Sequence, residues 1–212
     1  MMNIKIKKIL KKKGKSKIVC LTAYSKSIAK ILDKFVDITL VGDSMANVLY
    51  GHKNTHQISL ENIIQHTKSV KIGTKKSVLV VDMPKGSYNN IKLAQKNAKL
   101  IMKKTKCDAI KLESNGKNHR IIRELVKRNI PVMGHIGYTP QFKKNFKVEG
   151  ISRSDTLKLI KEANNIEKAG AFSVVLECIS AKAAKLITTE LNIPTIGIGS
   201  SLYCDGQVLV TD

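Results

Sequence analysis

Short runs rich in valine and isoleucine recur along the chain, and longer segments of mixed polarity separate them. Each run is almost continuous in apolar residues, which is typical of strands buried on both faces of a parallel sheet. The runs read IVCLTAY (18–24), ITLVGDS (38–44), SVLVVDM (77–83), AIKLES (109–114), PVMGHIG (131–137), SVVLEC (173–178), PTIGIGS (194–200) and QVLVTD (207–212). This pattern predicts eight parallel strands.

The segments between most of these runs repeat apolar residues every three or four positions, as amphipathic helices do. The predicted helices cover 61–73, 91–105, 119–129, 154–170 and 180–192, and either Ser154 or Asp155 is the expected N-cap of the fourth. Strands that alternate with helices predict βα units, and eight of them predict an α/β fold of the (β/α)8 barrel type. An open doubly wound sheet is the alternative, but the sequence lacks the Gly-rich phosphate loop that such a sheet carries after an early strand.

Residues 1–17 form a basic N-terminal segment, for which we predict either a short amphipathic helix or a solvated tail. Residues 18–212 are predicted to form a single barrel domain, whose least regular part, 138–154, is expected to be a long loop after the fifth strand. No apolar run approaches the ~20 residues of a membrane helix, and no apolar signal core follows the basic start. We therefore expect a cytoplasmic protein with no membrane partner and with reduced cysteines.

The composition is strongly basic, with 38 Lys and Arg residues against 16 Asp and Glu in a chain of 212, and a formal net charge of +22. Such a charge attracts polyanions, so a polyanion-binding protein without catalysis is one hypothesis. However, the lysines are spread through nearly every helical segment and aromatic residues make up only 4%, whereas nucleic-acid-binding proteins concentrate their charge and interleave aromatic residues. A compositional bias of the genome explains the lysines better, and no specific nucleic-acid partner is expected.

Polar side chains stand at or near the ends of five predicted strands. The carboxyl ends of the strands of a parallel barrel open on one face, where barrel enzymes keep their chemistry. The side chains are Asp43 and Ser44 on the second strand, Asp82 on the third, Lys111 and Glu113 on the fourth, His135 on the fifth and Glu177 on the sixth. A single aspartate in such a position is ordinarily a turn former, but this many on one face predict a catalytic site.

The acidic residues predict a metal site. Asp43, Asp82 and Glu113 offer hard oxygen ligands of the kind that suits Mg²⁺. Without a cation, carboxylates this close would raise one another's pKa by repulsion. Lys111 would neutralise part of the charge or hold an anionic substrate group, and its alternative role is a salt bridge with Glu113.

The fifth and sixth strands supply the remaining candidates. Glu177 comes from the other side of the ring, so it is a candidate general base rather than a ligand. His135 is a candidate hydrogen-bond donor to the substrate, and its alternative role is that of a packed core histidine.

The motifs around these residues occur together in one known family. They are LTAYS, LVGDSMANVLYGH, VVDMP, IKLES, NIPVMGHIGYTPQ, VVLEC, IPTIGIGS and CDGQVLV, in family order from about residue 18 onward. The chain resembles the ketopantoate hydroxymethyltransferase family. The resemblance implies a (β/α)8 TIM barrel of the phosphoenolpyruvate/pyruvate type, dependence on Mg²⁺, and a homo-oligomer.

The implied reaction transfers a hydroxymethyl group from 5,10-methylenetetrahydrofolate to 3-methyl-2-oxobutanoate, giving 2-dehydropantoate for pantothenate biosynthesis through a Mg²⁺-stabilised enolate. The small-molecule partners are therefore a 2-oxo acid and a folate. The implied roles are metal binding by Asp43, Asp82 and Glu113, keto acid binding by Asp43, Ser44, Asp82 and Lys111, and proton abstraction by Glu177.

Several stretches depart from the family pattern. TAYS replaces TAYD at Ser25, GHKNT replaces a GHDST-like stretch at 51–55, MPKGSY carries Lys85 and Gly86 in place of an apolar pair, and GIGSS replaces GIGAG. Family members also continue past the eighth strand, so we expect a barrel that lacks C-terminal helices and exposes the flank of its first and eighth strands. An inactive, shortened remnant and a related Mg²⁺-dependent 2-oxo acid C–C lyase are the alternative functions.

Overall fold

Eight parallel strands close into a barrel, in the order in which they occur along the chain. The computed structural model of the protein describes residues 3–211. The strands are β1 (Ile18–Thr22), β2 (Ile38–Val41), β3 (Val78–Asp82), β4 (Ala109–Lys111), β5 (Val132–Gly137), β6 (Ser173–Glu177), β7 (Thr195–Ile198) and β8 (Gly206–Leu209). The predicted (β/α)8 barrel is confirmed. Every strand except β5 ends before the last residue of its apolar run, because those last residues turn into the loops above the barrel.

Helices occupy the outside of the barrel and the segments between strands. They are α1 (Ile4–Lys11), α2 (Lys26–Leu32), α3 (Met45–Val48), α4 (Leu60–Gly73), α5 (Ile91–Thr105), α6 (His119–Val126), α7 (Arg153–Lys168) and α8 (Ala181–Glu190). The five predicted helices are α4 to α8. Buried apolar residues of α4, α5, α7 and α8 pack with residues of the strands in one continuous core.

The start of α7 differs from the prediction. Ser152 is its N-cap, and the Ser152 hydroxyl accepts a hydrogen bond from the backbone N–H of Asp155. The expected caps, Ser154 and Asp155, lie inside the first turn instead, where an acidic side chain favours the helix dipole. The loop between β5 and α7 therefore spans 138–152, and it is called the β5–α7 loop below.

The basic N-terminal segment contains an amphipathic helix that closes the amino end of the barrel. Ile6 and Ile9 of α1 are buried and pack with Ile18, Ile38 and Val78 inside the barrel. Lysines of α1 and of the turn after it form salt bridges with aspartates, each of which directly precedes the first residue of a barrel strand. The pairs are Lys5–Asp108, Lys12–Asp37 and Lys13–Asp205, with N···O distances of 3.5, 2.6 and 2.8 Å.

The outer face of β1 and β8 is exposed, as expected. Val19 is 43% exposed and Leu209 is 63% exposed, and both point away from the barrel interior. None of the helices within residues 3–211 combines the length and the apolar character needed to cross a membrane. The four cysteines, Cys20, Cys107, Cys178 and Cys204, are buried free thiols.

Candidate active site

A cavity of about 620 Å³ opens at the carboxyl end of the barrel strands. All seven side chains predicted from the strand ends line it, namely Asp43, Ser44, Asp82, Lys111, Glu113, His135 and Glu177. Val175, Val208 and Leu40 form part of its apolar wall. The convergence follows from the topology, because parallel strands in a closed barrel end on the same side.

The residues after β2 reach the cavity through a tight turn at Gly42. A Cβ atom at position 42 would lie 2.7 Å from Ser44 Oγ and 3.5 Å from Asp82 Oδ2, so a side chain there would press on the site. The backbone N–H of Asp43 donates to Asp82 Oδ2 over 3.1 Å. Ser44 Oγ lies 2.8 Å from the hydroxyl of Tyr24, which comes from the loop after β1.

Lys111 forms a buried salt bridge with Asp82. Lys111 Nζ lies 2.6 Å from Asp82 Oδ1, and both side chains are almost fully buried. Burial alone would lower the pKa of Lys111, but the charges of Asp82, Glu113 and Asp43 raise it above its usual value. The lysine therefore stays protonated, and its partner is Asp82 rather than Glu113, the residue that the alternative prediction named.

Asp43 and Glu113 are joined through Gln141 of the β5–α7 loop. Gln141 Nε2 donates to Asp43 Oδ2 over 2.8 Å, and the backbone N–H of Gln141 donates to Glu113 Oε2 over 2.9 Å. Burial, and then the charge of Asp82, raises the pKa of Asp43 to about 7. Burial, and then the charge of Asp43, raises the pKa of Glu113 well above its usual value. Both carboxyls thus stand where added positive charge would be favourable.

His135 separates the two glutamates of the site. Its Nε2 atom lies 3.1 Å from Glu177 Oε2, and its Nδ1 atom lies 3.8 Å from Glu113 Oε1. Neither contact has hydrogen-bond geometry, so among the described residues both ring nitrogens are buried without a hydrogen-bond partner. Because buried polar atoms are normally satisfied, the unsatisfied ring nitrogens favour a binding role over that of a packed core histidine. Glu177 is the most open of the site carboxylates, with its side chain 20% exposed.

Comparison with known proteins identifies the family of the chain. A sequence model of the ketopantoate hydroxymethyltransferase family matches residues 3–212. The chain belongs to this family. It is 52% identical over 211 residues to 3-methyl-2-oxobutanoate hydroxymethyltransferase of Pelagibacter ubique, covering 100% of this chain and 82% of that protein. The Anaplasma marginale (strain St. Maries) protein of the same name is 46% identical over 214 residues, covering 100% and 77%.

Solved structures of low sequence identity share the barrel fold of this chain. Phosphoenolpyruvate phosphomutase from Streptomyces platensis subsp. rosaceus matches with a TM-score of 0.74 at 10% identity, over 99% of this chain and 81% of that one. Phosphonopyruvate hydrolase, solved as a complex with oxalate and Mg²⁺, matches with a TM-score of 0.67 at 11% identity, over 94% and 72%. At such identities the likeness shows the shared barrel fold.

The three carboxylates predicted to bind a metal, Asp43, Asp82 and Glu113, are not arranged as a three-ligand metal site. Within residues 3–211, no group of three or more His, Cys, Asp or Glu side chains is arranged to hold a metal ion. Gln141 stands between Asp43 and Glu113, and Lys111 holds Asp82 Oδ1. The donor chemistry nevertheless fits Mg²⁺, because this ion keeps several waters and takes only one or two protein carboxylates. Asp43 and Asp82 lie next to each other, linked by the hydrogen bond from the backbone N–H of Asp43 to Asp82 Oδ2.

Three of the residues noted above as departures from the family pattern make local contacts in the structure. Ser25 is the N-cap of α2, and its hydroxyl accepts from the backbone N–H of Ile28. Lys53 lines the mouth of the cavity. Lys85 Nζ lies 3.1 Å from Nδ1 of His56, which is itself at the mouth. Lys53 and Lys85 thus place cationic groups at or beside the entrance.

The sequence motifs contained one residue whose role was not recognised. Gln141 closes the motif GHIGYTPQ, and the structure buries it at the centre of the acidic cluster. The available signal was its place directly after Pro140 in a motif shared with the family. A position within a loop has no periodicity, however, so the sequence does not show to which strand its side chain returns.

Proposed function

We propose that this chain transfers a hydroxymethyl group from 5,10-methylenetetrahydrofolate to 3-methyl-2-oxobutanoate, giving 2-dehydropantoate in pantothenate biosynthesis. Membership of the family supports the reaction. The observation that carries the proposal for this chain is that Asp43, Asp82, Lys111 and Glu177 line one cavity at the carboxyl end of the barrel.

Asp43 and Asp82 would bind Mg²⁺ directly, and Glu113 would act on it through a bound water. When bound, the ion would polarise the carboxylate and keto oxygens of the substrate and so acidify the neighbouring carbon. Ser44 and Lys111 would contact the keto acid. The ammonium group of Lys111 lies among three carboxyl groups, so it offsets the negative charge that an anionic substrate adds.

Glu177 would remove the proton from C3 of the keto acid. Its carboxylate belongs to β6, on the other side of the ring from Asp43 and Asp82, and it lines the same cavity. The C3 carbanion would then form a carbon–carbon bond with the methylene carbon of the donor. Both bonds from that carbon to the two folate nitrogens break, and water supplies the hydroxyl. The two nitrogens take up the proton that Glu177 removed and one proton of the water, which gives tetrahydrofolate. His135, whose ring nitrogens have no hydrogen-bond partner among residues 3–211, would donate a hydrogen bond to the bound substrate or product.

Proton exchange at C3 tests the base. Wild-type protein with Mg²⁺ and 3-methyl-2-oxobutanoate in D₂O is expected to lose the C3 proton signal in NMR spectra, without folate. Glu177→Gln keeps the size of the side chain but cannot accept the proton, so the exchange rate should fall about 10²- to 10⁴-fold while Mg²⁺ binding persists.

Glu124→Gln is the matched control, because Glu124 lies on the outer helix α6, away from the cavity, and forms a salt bridge with Lys127. Its exchange rate should equal that of wild type. Exchange that survives in Glu177→Gln would remove Glu177 from the role of base. No exchange in wild type would contradict the proposed reaction and favour the inactive remnant or the polyanion-binding protein.

The lyase alternative has support only at the level of the fold. One structural neighbour, at 15% identity and a TM-score of 0.66, is 2,3-dimethylmalate lyase. A lyase would cleave a 2-oxo acid without any folate, whereas the proposed enzyme forms 2-dehydropantoate only when the one-carbon donor is present. Product analysis with and without the donor separates the two.

A further inference from the structure

Gln141 makes four hydrogen bonds that join three strand ends to one loop. Its side chain is buried, with Nε2 donating to Asp43 Oδ2 over 2.8 Å and to the carbonyl of Met83 over 3.0 Å. The hydroxyl of Tyr88 donates to Gln141 Oε1, and the backbone N–H of Gln141 donates to Glu113 Oε2. Asp43 follows β2, Met83 follows β3 and Glu113 follows β4.

The surroundings of the amide allow it only one orientation. The carboxylate of Asp43 and the carbonyl of Met83 are acceptors, so the NH₂ group must face them. On the other side the Tyr88 hydroxyl is a donor, and burial raises the pKa of Tyr88, which keeps that proton in place. A flipped amide would lose three hydrogen bonds and set its oxygen against two acceptors. The Tyr88 ring also packs edge-on against Phe142, the residue after Gln141, with ring centroids 6.2 Å apart.

The side-chain amide therefore fixes the carboxylate of Asp43. A carboxylate that accepts a hydrogen bond on one oxygen cannot rotate freely, and such outer hydrogen bonds are what orient metal-ligating carboxylates in proteins. The same amide holds the start of the β5–α7 loop down on β3, next to the residues that line the cavity mouth. One side chain thus connects the loop to the acidic pair.

We propose that Gln141 is a positioning residue that orients Asp43 for Mg²⁺ and fastens the β5–α7 loop over the site. This inference rests on the proposed function, because it assigns the metal to Asp43. It adds a residue that touches neither the reacting atoms nor the ion and acts through the carboxylate it holds.

Gln141→Met tests the proposal, since methionine keeps the length and volume of glutamine but removes the amide. The backbone hydrogen bond to Glu113 remains in this variant. We expect the dissociation constant for Mg²⁺, measured by calorimetry without keto acid, to rise about 10- to 100-fold. Tyr88→Phe, which removes only the hydroxyl that orients the amide, should raise it by less.

Gln207→Met is the matched control. Gln207 donates to the carbonyl of Ser201 and points to the outer side of β8, because its neighbour Val208 lines the cavity. It makes the same chemical change and removes a comparable hydrogen bond, so it can lower the free energy of unfolding. It should leave the Mg²⁺ dissociation constant at the wild-type value.

Hydrogen exchange in the absence of metal provides a second measurement. The backbone N–H groups of Phe142 and Lys143 both donate to the carbonyl of Thr139. Their exchange should be faster in Gln141→Met and unchanged in Gln207→Met, because only the former releases the loop.

A Gln141→Met protein that binds Mg²⁺ as tightly as wild type would overturn the inference while the proposed function stands. Should that variant fail to fold, Tyr88→Phe decides, and an unchanged dissociation constant there overturns the inference. A wild-type protein that binds no divalent ion would overturn the metal assignment itself, together with the role of Gln141 that depends on it.

Discussion

At the scale of single residues, the space available between neighbouring strands controls where the side chains of the candidate site lie. Gly137 ends β5 with φ of +94°, and a Cβ atom there would lie 2.1 Å from the carbonyl oxygen of Glu177. That carbonyl accepts the hydrogen bond from the backbone N–H of Tyr138. The junction of β5 and β6 therefore requires glycine next to the proposed base.

Replacing Gly137 with alanine should be far more damaging than the same change at Gly86. Gly86 also has a positive φ, of +83°, but nothing lies within 4 Å of a Cβ atom built on it. Gly86→Ala should cost only the left-handed backbone penalty of about 1–2 kcal/mol. Gly137→Ala adds a steric clash, for a total of about 2–5 kcal/mol, measured by urea unfolding. Equal losses in the two variants would show that the contact with Glu177 relaxes freely.

The acidic and basic site residues could be predicted from the sequence because strand ends in a parallel barrel share one face. Their pairing was harder to predict. Lys111 pairs with Asp82 because the two are register partners across β3 and β4, whereas Glu113 lies two residues further along its own chain. Two residues along a strand span about 6.6 Å, against about 4.8 Å between strands. Gln141 and Tyr24 return from loops, for which no sequence period applies.

At the scale of elements, aspartates at the amino end of the barrel connect neighbouring segments through hydrogen bonds, and Asp205 is one example. Asp205 accepts from the backbone N–H of Thr195 and of Gly14, and from Lys13 Nζ. It thereby connects the turn after α1 with the starts of β7 and β8. Burial alone would raise the pKa of Asp205, but these hydrogen bonds hold it below its ordinary value.

Asp205→Asn should destabilise the protein in a pH-dependent way. The free energy of unfolding should fall by about 1–3 kcal/mol at pH 7, because a carboxylate with charge-assisted hydrogen bonds is lost. Since the folded-state pKa is lowered, this stabilisation is present above the unfolded-state pKa of about 3.9 and disappears as the pH falls through the folded-state pKa. The difference between wild type and variant, measured by chemical denaturation, should therefore shrink below about pH 4.

Asp155→Asn on the exposed face of α7 is the comparison, because Asp155 lies 3.7 Å from Lys158 with half its side chain exposed. It should change the free energy of unfolding by no more than a few tenths of a kcal/mol at any pH. A pH-independent loss in Asp205→Asn would show that packing, and not the charge, carries the effect.

The strands were predictable from their nearly continuous apolar runs, and the longer helices from apolar residues that repeat over several turns. Helices α2 and α3 were not predicted, since seven and four residues give too few repeats of the period. The predicted start of α7 was wrong by two or three residues. Three hydroxyl or acidic residues between 152 and 155 are all credible N-caps, and only the backbone conformation of Ser152 identifies it as the cap.

At the scale of the whole molecule, the net charge of +22 acts on whatever anion approaches the cavity. Lys53, Lys143 and Lys144 line the mouth. Lys143 is paired with Glu149, while no ion pair of Lys53 or Lys144 occurs among the described residues. These two lysines are therefore the mouth charges best placed to attract an anionic keto acid.

Removing both charges should slow capture of the keto acid. Lys53→Gln together with Lys144→Gln should lower kcat/KM for the keto acid severalfold at low ionic strength, with the deficit vanishing near 0.3 M salt as the charges are screened. Lys7→Gln together with Lys8→Gln makes the same charge change on α1, at the other end of the barrel, and should leave kcat/KM unchanged. Equal effects of the two pairs would assign the attraction to net charge alone.

Helix α1 determines from which end of the barrel reactants can enter and leave the cavity. The isoleucines of α1 fill the amino end of the barrel. The cavity therefore opens only among the loops above the strands, as far as the described residues show. In the proposed reaction, the smaller keto acid would bind at the acidic floor of the cavity, and the larger one-carbon donor would then cover it. Turnover should then follow a compulsory sequence, in which the keto acid arrives first and the product derived from it departs last.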